Sequence, residues 1–248
     1  MTELRTVLVT GASRGIGAAI AERLAGAGHT VIGVARRFPE TSTRFHSESL
    51  DLSNLDALPD RLEALRGKYP AVDAVVSNAG RGQFGSLEEF SFAQIRALVD
   101  FNFTSHAYLA RTFLPPMKRA KRGDLIFIGS EAALSGGRRG ALYAASKAAL
   151  AAMARALRDE CARANVRVSV IHPGMVRTTF YHGLGFEPGE DATSALAAQD
   201  VARAVEHVLT AREGVVFDEI HLSPLKKVLR FRSPSSPTSP PSPPSDDT

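Results

Sequence analysis

A glycine-rich segment between a strand pattern and a helix pattern constrains the fold of this chain most. Residues Thr6–Thr10 form a short, β-branched apolar run, which is typical of a strand buried on both faces of a parallel sheet. The run leads directly into the segment 11–17, Gly-Ala-Ser-Arg-Gly-Ile-Gly, and residues 18–27 then have the pattern of a helix. Glycines at such a turn let the backbone approach a phosphate, whose negative charge is favoured by the free amides of the helix. The segment therefore predicts a phosphate-binding turn, with a purely structural tight turn as the alternative.

Strand and helix patterns continue to alternate after this turn. Predicted strands cover residues 30–35, 44–50, 72–77, 124–129, 166–172 and 215–222, and predicted helices cover residues 54–67, 91–113, 142–163 and 200–209. Pro115 and Pro116 should end or kink the 91–113 helix. The alternation predicts a single-domain α/β protein, a doubly wound Rossmann fold with about seven parallel strands and helices on both faces. Ligands of such sheets bind beyond the carboxyl ends of the strands.

Composition indicates an ordinary globular protein. The chain has 248 residues, of which 44% are hydrophobic and 23% charged, so it can bury a substantial core. A net charge of +4 gives no indication of a nucleic-acid partner, and the single cysteine, Cys161, fits a reducing compartment. The N-terminus lacks the apolar stretch of a signal peptide, and no run of about 18 uncharged apolar residues occurs. We expect a cytoplasmic protein without a membrane span.

The C-terminal residues 226–248 differ from the rest. Four basic residues, Lys226, Lys227, Arg230 and Arg232, alternate with apolar ones, and residues 233–248 consist of Ser, Pro, Asp and Thr. Such a composition cannot bury a core. We expect a folded domain over residues 1–225, followed by a basic and then Ser/Pro-rich disordered tail, which is either a solvated spacer or a docking or phosphorylation segment.

One predicted helix carries two chemically complementary side chains. Tyr143 and Lys147 are four residues apart, which places them on one helix face. A free phenol titrates near pH ~10, and a neighbouring ammonium charge lowers the pKa of that phenol by stabilising the phenolate. The pair is suited to general acid/base chemistry near neutral pH. A half-buried tyrosine beside a solvated lysine is the plain structural alternative.

The second predicted strand ends in Arg36 and Arg37. NAD-binding units usually place an acidic residue about 20 positions after the glycine turn, where it binds the ribose 2′-hydroxyl. Here Arg36 follows Gly17 by 19 residues, and an arginine pairs well with the 2′-phosphate of NADP. Arg14, inside the turn, is placed to contribute. The pattern predicts NADP rather than NAD, with two solvated arginines at a strand end as the alternative.

Taken together, these features resemble the short-chain dehydrogenase/reductase family. The match covers about residues 6–222, and its further motifs are Asp51-Leu52, Asn78-Ala79-Gly80, Asn102, Ser130 and the segment from Pro173 to Thr178. Each motif is weak alone, and their order and structural setting carry the resemblance. Ser77 is a small departure, since members often have a second asparagine there.

The resemblance implies NADP(H)-dependent hydride transfer to or from a carbonyl or alcohol substrate. Tyr143 would exchange the proton with the substrate oxygen, and Ser130 would donate a hydrogen bond to it. Lys147 would lower the pKa of Tyr143 and hold the nicotinamide ribose, while Asn102 would position Lys147 through a water. The implied contacts of the pyrophosphate are Gly11, Ser13, Arg14, Gly15, Ile16 and Gly17. Asp51 and Leu52 would flank the adenine, and Asn78, Ala79 and Gly80 would lie along its ribose. The implied contacts of the nicotinamide are Pro173, Gly174, Val176 and Thr178.

The resemblance also implies a homodimer or homotetramer built from the 91–113 and 142–163 helices. Small residues along the second helix, such as Ala148 and Ala152, would let a partner helix approach closely; packing on its own sheet alone is the alternative. A non-catalytic NADP-binding redox sensor or scaffold is the alternative function.

The substrate loop should lie within residues 175–199. Its glycines and its aromatic residues fit either a mobile lid or ordinary loop anchors. Arg138 and Arg139, between Ser130 and Tyr143, would favour an anionic substrate if they face the site, and are otherwise surface residues. The sequence does not separate sugars, steroids, hydroxy acids and acyl thioesters.

Overall fold

A computed structural model describes residues 3–39 and 44–231. Nine strands are present in this part of the chain: β1 (Thr6–Thr10), β2 (Thr30–Ala35), β3 (His46–Ser49), β4 (Ala74–Ser77), β5 (Gly123–Ile128), β6 (Val166–Pro173), β7 (Phe186–Pro188), β8 (Glu219–Leu222) and β9 (Leu229–Phe231). Seven of them form one parallel sheet in the order β3-β2-β1-β4-β5-β6-β8. The other two, β7 and β9, pair antiparallel with each other.

Helices cover both faces of the sheet. They are α1 (Gly15–Gly26), α2 (Leu58–Lys68), α3 (Phe92–Val99), α4 (Ser105–Ala120), α5 (Ala132–Ser135), α6 (Ala141–Ala162) and α7 (Ala198–Leu209). Residues of α1 and α7 form the core on one face, and residues of α2, α4 and α6 form it on the other. The predicted doubly wound fold with a seven-stranded parallel sheet is thereby confirmed. No helix within the described ranges is long and apolar enough to cross a membrane.

The apolar run of β1 follows from burial on both faces. Successive strand side chains point to opposite faces, so Leu8 packs with the α2, α4 and α6 side, while Val7 and Val9 pack with the α1 and α7 side. β1 pairs with β2 on one edge and with β4 on the other. The order of strands reverses between β1 and β4, and the crevice at their carboxyl ends is where such sheets bind ligands.

The helix predicted over residues 91–113 is interrupted and then continues further. A π-helical turn, Asp100–Thr104, separates α3 from α4, and α4 extends through Pro115 and Pro116 to Ala120. The prolines therefore do not end this helix, which was one of the two outcomes expected of them. Leu114 and Met117 are buried and hold the helix to the core, whereas Pro115 lies on the exposed side, where water can satisfy the freed carbonyl.

A short strand lies beyond the domain boundary predicted at residue 225. Strand β9 ends at Phe231 and pairs with the short β7 of the 175–199 loop. The basic residues Lys226, Lys227 and Arg230 lie in or next to this strand. Residues 232–248, which include Arg232 and the Ser/Pro-rich segment, lie outside the described residues.

Candidate active site

The glycine turn after β1 has the geometry of a phosphate cradle. Gly11 and Gly15 adopt positive φ angles of 69° and 59°, which side chains rarely tolerate. A Cβ atom on Gly17 would lie 2.2 Å from the Gly11 carbonyl oxygen, so only glycine fits there. α1 begins at Gly15, three residues earlier than predicted, and its N-cap Arg14 makes no side-chain capping bond. The first amides of the helix are thus left for an anion.

Thr10 and Asn78 join the ends of β1 and β4 beside this turn. The Asn78 side-chain amide donates to the Thr10 carbonyl oxygen at 2.8 Å. In return, the Thr10 hydroxyl oxygen accepts from the backbone amides of Asn78 and Ala79, at 2.9 and 3.0 Å. Asn78 and Ala79 were predicted to lie at this crevice, whereas Thr10, which holds them, was not.

A groove of about 1070 Å³ continues from the turn over the ends of β2 and β3. Four arginines line it: Arg14, Arg36, Arg37 and Arg61. The first three were predicted as cofactor residues. Arg61, on α2, was not, because nothing in a helix pattern shows which sheet edge an exposed position faces.

Ser13 and Asp51 also line the groove, as predicted, but Leu52 does not. Leu50 and Leu52 both pack in the core, and of the two only Leu50 lines the groove. Burial raises the pKa of Asp51, but hydrogen bonds from Ser53 and the charge of Arg36 outweigh it and leave the pKa below its usual value.

Tyr143, Ser130 and Lys147 meet at the carboxyl ends of β5 and β6. Tyr143 and Lys147 lie one turn apart on the buried face of α6, with exposed fractions of only 7% and 4%. The Tyr143 phenol is hydrogen-bonded to the Ser130 side chain. The Lys147 ammonium donates to the Ile128 carbonyl oxygen at 3.0 Å. The buried arrangement rules out the plain alternative of a solvated lysine.

Asn102, in the π-helical turn, is fully buried beside this group. Its side-chain oxygen accepts from the Arg81 amide, and its side-chain nitrogen donates to the Arg81 carbonyl oxygen and to the Ser146 hydroxyl, all at 3.0 to 3.1 Å. A Cβ on Gly80 would lie 3.4 Å from the Lys147 ammonium and 3.6 Å from the Asn102 oxygen. Gly80 thus lies beside both the Asn102 and the Lys147 side chains.

The pKa of Tyr143 departs from the sequence-based expectation. Burial raises the pKa of Tyr143 to about 12, against a lowering effect of its hydrogen bond with Ser130. Burial also lowers the pKa of Lys147 to about 8. We expected Lys147 to depress the phenol's pKa. Instead desolvation dominates for both groups, since Tyr143 lies among aromatic rings and the Lys147 ammonium is turned to the Ile128 carbonyl.

Four aromatic side chains, which we call the aromatic wall, form a connected group beside the Tyr143 ring: Phe84, Phe180, Tyr181 and Phe186. The Tyr143 ring centroid lies 5.1 Å from that of Phe84 and 6.0 Å from that of Phe180. Phe186 contacts Phe84 at 5.0 Å and Tyr181 at 5.9 Å. Three of the four residues come from the 175–199 loop, so this loop supplies most of the aromatic wall.

Comparisons with known proteins agree with this geometry. The family model for short chain dehydrogenase matches residues 5–185. The chain belongs to the short-chain dehydrogenase/reductase family. It is therefore an oxidoreductase of that family, as the sequence resemblance predicted.

Three relatives illustrate the range of this family around the chain. The 3-oxoacyl-[acyl-carrier-protein] reductase MabA of Mycobacterium tuberculosis is 34% identical over 202 residues, covering 82% of this chain and 81% of the relative. The NADP-dependent 3-hydroxy acid dehydrogenase YdfG of Salmonella typhi is 30% identical over 236 residues, covering 88% and 94%. An alcohol dehydrogenase from the archaeon Thermococcus sibiricus, solved with 5-hydroxy-NADP, is 28% identical with a TM-score of 0.77, covering 89% and 96%.

The segment after β6 connects the aromatic wall to the glycine turn. The Glu131 amide donates to the Pro173 carbonyl oxygen at 3.0 Å, and the Gly174 amide donates to that of Leu222 at 2.7 Å. Val176 forms an isolated bridge with Leu196. A Cβ on Gly15 would lie 3.5 Å from Thr178, so Thr178 lies next to the glycine turn. The predicted pyrophosphate and nicotinamide residues are thereby adjacent.

The arginines between Ser130 and Tyr143 do not form an anion site on the phenol. Arg139 makes an exposed two-pronged ion pair with Glu89, at 2.8 and 2.7 Å. Arg138 is exposed as well. The structure favours the interpretation of both as surface residues.

His106 is a buried site residue that the sequence analysis missed. Its Nε2 atom lies 2.7 Å from the Ala79 carbonyl oxygen, and its Nδ1 atom lies 2.6 Å from the Ser77 hydroxyl. A carbonyl only accepts, so Nε2 carries the hydrogen and the Ser77 hydroxyl donates to Nδ1. Burial and the Lys147 charge lower the pKa of His106 to about 3. The departure noted at Ser77 thus has a partner on α4, which no local pattern reveals.

Proposed function

We propose that the protein is an NADP(H)-dependent oxidoreductase that transfers a hydride between the nicotinamide and a carbonyl or secondary alcohol substrate, with Tyr143 as general acid/base. The observation that carries the proposal is the buried group of Ser130, Tyr143 and Lys147 at the sheet edge next to the glycine turn. A sensor or scaffold has no need of a phenol hydrogen-bonded to a serine beside a buried ammonium.

The chain's residues fit a dinucleotide along this edge. The glycine turn would bind the pyrophosphate, and Asp51 the adenine side. Asn78, Ala79 and Gly80 would lie along the adenosine ribose. Pro173, Gly174, Val176 and Thr178 would line the nicotinamide, and Lys147 the sugar that carries it. When bound, this cofactor supplies or accepts the hydride.

Charge in the adenosine groove favours NADP over NAD. Arg14, Arg36, Arg37 and Arg61 line one groove, a concentration of charge suited to a 2′-phosphate. Two relatives point the same way, because YdfG is described as NADP-dependent and the Thermococcus sibiricus enzyme was solved with an NADP analogue. An NAD-specific site would instead present an acidic residue at the end of β2.

The protonation states suit carbonyl reduction at neutral pH. With a pKa of about 12, the Tyr143 phenol stays protonated at pH 7 and can donate its proton to the oxygen that becomes an alkoxide. The Ser130 hydroxyl would donate a second hydrogen bond to the same oxygen. Lys147 is held between Ile128 and Gly80 and would stabilise the phenolate left after the transfer, with Asn102 as its positioning residue.

The aromatic wall favours substrates with an apolar group beside the carbonyl. Rings of Phe84 and Phe180 lie against Tyr143, and the nearby Arg139 is engaged with Glu89. An apolar substituent of the substrate would pack against these rings, whereas a carboxylate would lose its hydration there, and Arg139 is already paired with Glu89. We therefore place aryl and alkyl ketones or aldehydes ahead of 3-oxo acids.

A homodimer or homotetramer through α4 and α6 remains part of the proposal. Ala152 and Ala156 of α6 are exposed small residues, whereas Ala144 and Ala151 pack into the chain's own core. Sedimentation measurements would test this assembly, and a monomer at micromolar concentration would contradict it.

Absorbance-monitored NADPH oxidation across aryl ketones, aldehydes, 3-oxo acids and 3-oxoacyl thioesters, with NADH in parallel, tests the function. The matched variants are Tyr143→Phe and Tyr108→Phe, the latter on α4 outside the site. We expect Tyr143→Phe to lower kcat by about 10²–10⁴-fold while NADPH binding persists, and Tyr108→Phe to behave like the parent. NADPH binding without turnover of any substrate would favour the sensor alternative.

A further inference from the structure

Ser130 is held by β6 through three consecutive hydrogen bonds. The backbone amides on either side of Ser130 donate to β6 carbonyl oxygens: Gly129 to Ile171 at 2.7 Å, and Glu131 to Pro173 at 3.0 Å. Between these two bonds, the Ser130 carbonyl oxygen is 3.1 Å from the Nδ1 atom of the His172 side chain. The bonds of Gly129 and Glu131 to β6 are between backbone groups, whereas at Ser130 the partner on β6 is the His172 side chain.

The partner of Nδ1 fixes the tautomer of His172. Because the Ser130 carbonyl can only accept, Nδ1 must carry the hydrogen and donate it. In the neutral ring, Nε2 is then a lone-pair acceptor. That atom is buried and has no hydrogen-bond partner among the described residues.

The space for the His172 ring is created by Gly129. A Cβ atom on Gly129 would lie 2.7 Å from Nδ1 and 2.9 Å from Cε1 of His172, so no larger residue can precede Ser130 while the ring keeps its place. The His172 side chain is fully buried. The end of β5 and the His172 imidazole are therefore fitted to each other.

A small cluster of charged and titratable groups surrounds the far side of the ring. The Glu219 Oε2 atom lies 3.5 Å from Nε2 of His172, and the His221 ring stacks on that of His172 at 5.0 Å with an interplanar angle of 7°. Glu219 is also paired with Arg155 at 2.8 Å. Burial lowers the pKa of His172, with the nearby charges of His221 and Arg155 acting in the same direction, against the Ser130 hydrogen bond and Glu219.

We propose that His172 is a positioning residue for catalysis, whose Nδ1–H fixes the Ser130 backbone and thereby the direction of the Ser130 hydroxyl toward Tyr143. The inference rests on the proposed function of Ser130. The contact of His172 with the site is through the Ser130 carbonyl, so His172 acts through Ser130. Without that donor, the Ser130 carbonyl loses its bond to β6 and keeps only the Ala133 amide at 3.0 Å, while the Ser130 hydroxyl oxygen keeps its bond from the Ala132 amide at 3.2 Å. Both of these amides lie in α5, so among the described residues only His172 ties the Ser130 carbonyl to the sheet.

An amide pair separates this role from simple packing. In His172→Asn the side-chain amide nitrogen replaces Nδ1, whereas in His172→Gln it replaces Nε2 and reaches toward Glu219. We expect His172→Asn to keep kcat close to the parent value and His172→Gln to lower kcat about tenfold to a hundredfold, with NADPH affinity unchanged in both. His221→Gln, which alters the stacked ring but no bond to Ser130, is the control and should match the parent. Equal kcat values for the Asn and Gln variants would overturn the proposal.

Long-range ¹H–¹⁵N NMR of the unmodified protein determines the tautomer of His172 directly. The measurement depends neither on the folding of a variant nor on activity. We expect His172 to show a protonated Nδ1 and an unprotonated Nε2 at pH 7. A protonated Nε2 with a bare Nδ1 would overturn the inference. If the parent shows no turnover with any substrate, the proposed function fails, and the tautomer still decides whether His172 donates to Ser130.

Discussion

The Lys147 ammonium donates a hydrogen bond to the Ile128 carbonyl oxygen at 3.0 Å, two residues before Ser130. This contact joins α6, which carries Tyr143, to β5, which carries Ser130. It also turns the positive charge away from bulk water, and burial lowers the pKa of Lys147 to about 8. One lysine thus joins the helix that carries Tyr143 to the strand that leads to Ser130, and its protonation sets the charge beside them.

The pKa of Lys147 predicts an alkaline limit to reduction. Above pH about 8 the lysine becomes neutral and no longer stabilises a phenolate on Tyr143, so kcat/KM for carbonyl reduction should fall. In Lys147→Arg the charge persists to a much higher pH, so the decline should disappear, although the overall rate should be lower because a guanidinium does not reproduce the ammonium contact. Rates measured from pH 6 to about 10 test this, and an unchanged profile in the arginine variant would contradict it.

The same lysine predicts how stability depends on pH. Its pKa is lowered from 10.5 in the unfolded chain to about 8 in the folded one, so between these values the unfolded state binds more protons. The free energy of unfolding contributed by Lys147 should therefore rise with pH over that window. Urea unfolding at pH 8 and about 10 should show this rise in the parent and in the exposed-site control Lys121→Met, but not in Lys147→Met.

Arg36 should determine the choice of cofactor. Arg36→Asp removes a charge from the arginine-lined groove and adds an acid suited to a ribose 2′-hydroxyl. We expect the NADPH Kd to rise about tenfold to a hundredfold and the NADH Kd to fall. Arg61→Ala should weaken NADPH binding to a smaller extent.

Arg66→Ala is the matched control for the cofactor prediction. Arg66 also lies on α2, but it pairs with Glu63 and does not line the groove. Fluorescence titration with both cofactors measures the four proteins. An unchanged ratio of NADPH to NADH affinity in Arg36→Asp would rule out Arg36 as the 2′-phosphate residue.

Gly82 should control the aromatic wall. A Cβ at this position would lie 2.4 Å from the Phe180 ring and 2.8 Å from that of Phe84, so Gly82→Ala must displace at least one of them. We expect a several-fold rise in KM for an aryl ketone, with NADPH affinity preserved. Gly67→Ala on α2, where a Cβ meets nothing within 4 Å, is the control. Identical KM values for the two variants would show that the wall does not bind the substrate.

Local periodicity explains why most of the fold was predictable. The β1 run, the glycine turn and the four-residue spacing of Tyr143 and Lys147 are each visible in a short window of sequence, and the structure contains all three. The helix that continues through Pro115 is different, because core contacts of its neighbours outweigh a local preference. Strands β7 and β9, of three residues each, are too short for any pattern to emerge.

Long-range contacts explain why some residues of the site could not be predicted from the sequence. His106 pairs with Ser77 across 29 positions, and His172 with Ser130 across 42. Neither pair has a spacing that a helix or strand would impose. The raised pKa of Tyr143 has the same origin, because it depends on rings from other loops rather than on the neighbouring lysine.

His106 should contribute to acid sensitivity. Its folded pKa of about 3 lies below the value of 6.5 in the unfolded chain, so the unfolded state binds more protons between these two pH values. Stability should therefore fall as pH drops from 6.5 toward 3. His106→Gln keeps a donor for the Ala79 carbonyl but does not titrate, so its unfolding free energy should fall less between pH 7 and about 5. The exposed His207→Gln is the control, and equal acid losses in both variants would exclude His106 as the cause.

The C-terminal segment should hold the substrate loop in place. β9 pairs with β7, the Gly189 amide donates to the Val228 carbonyl oxygen at 2.9 Å, and Arg230 forms an ion pair with Glu190. Lys227 pairs with Glu131, the residue after Ser130, at 2.8 Å. Ending the chain after residue 225 removes all of these contacts, so we expect KM for the carbonyl substrate to rise several-fold while the NADPH Kd stays constant.

A chain ending after residue 231 is the matched control, because it retains β9 and loses only the Ser/Pro-rich segment and Arg232. It should have the KM of the full chain. Exposed ion pairs contribute about 0.2–1 kcal/mol each and weaken with salt, so Arg230→Glu alone should produce a smaller rise in KM that shrinks as ionic strength increases. Hydrogen exchange of residues 186–194 should quicken in the 225 truncation and not in the 231 truncation. If both truncations match the full chain in KM and in exchange, β9 does not restrain the loop.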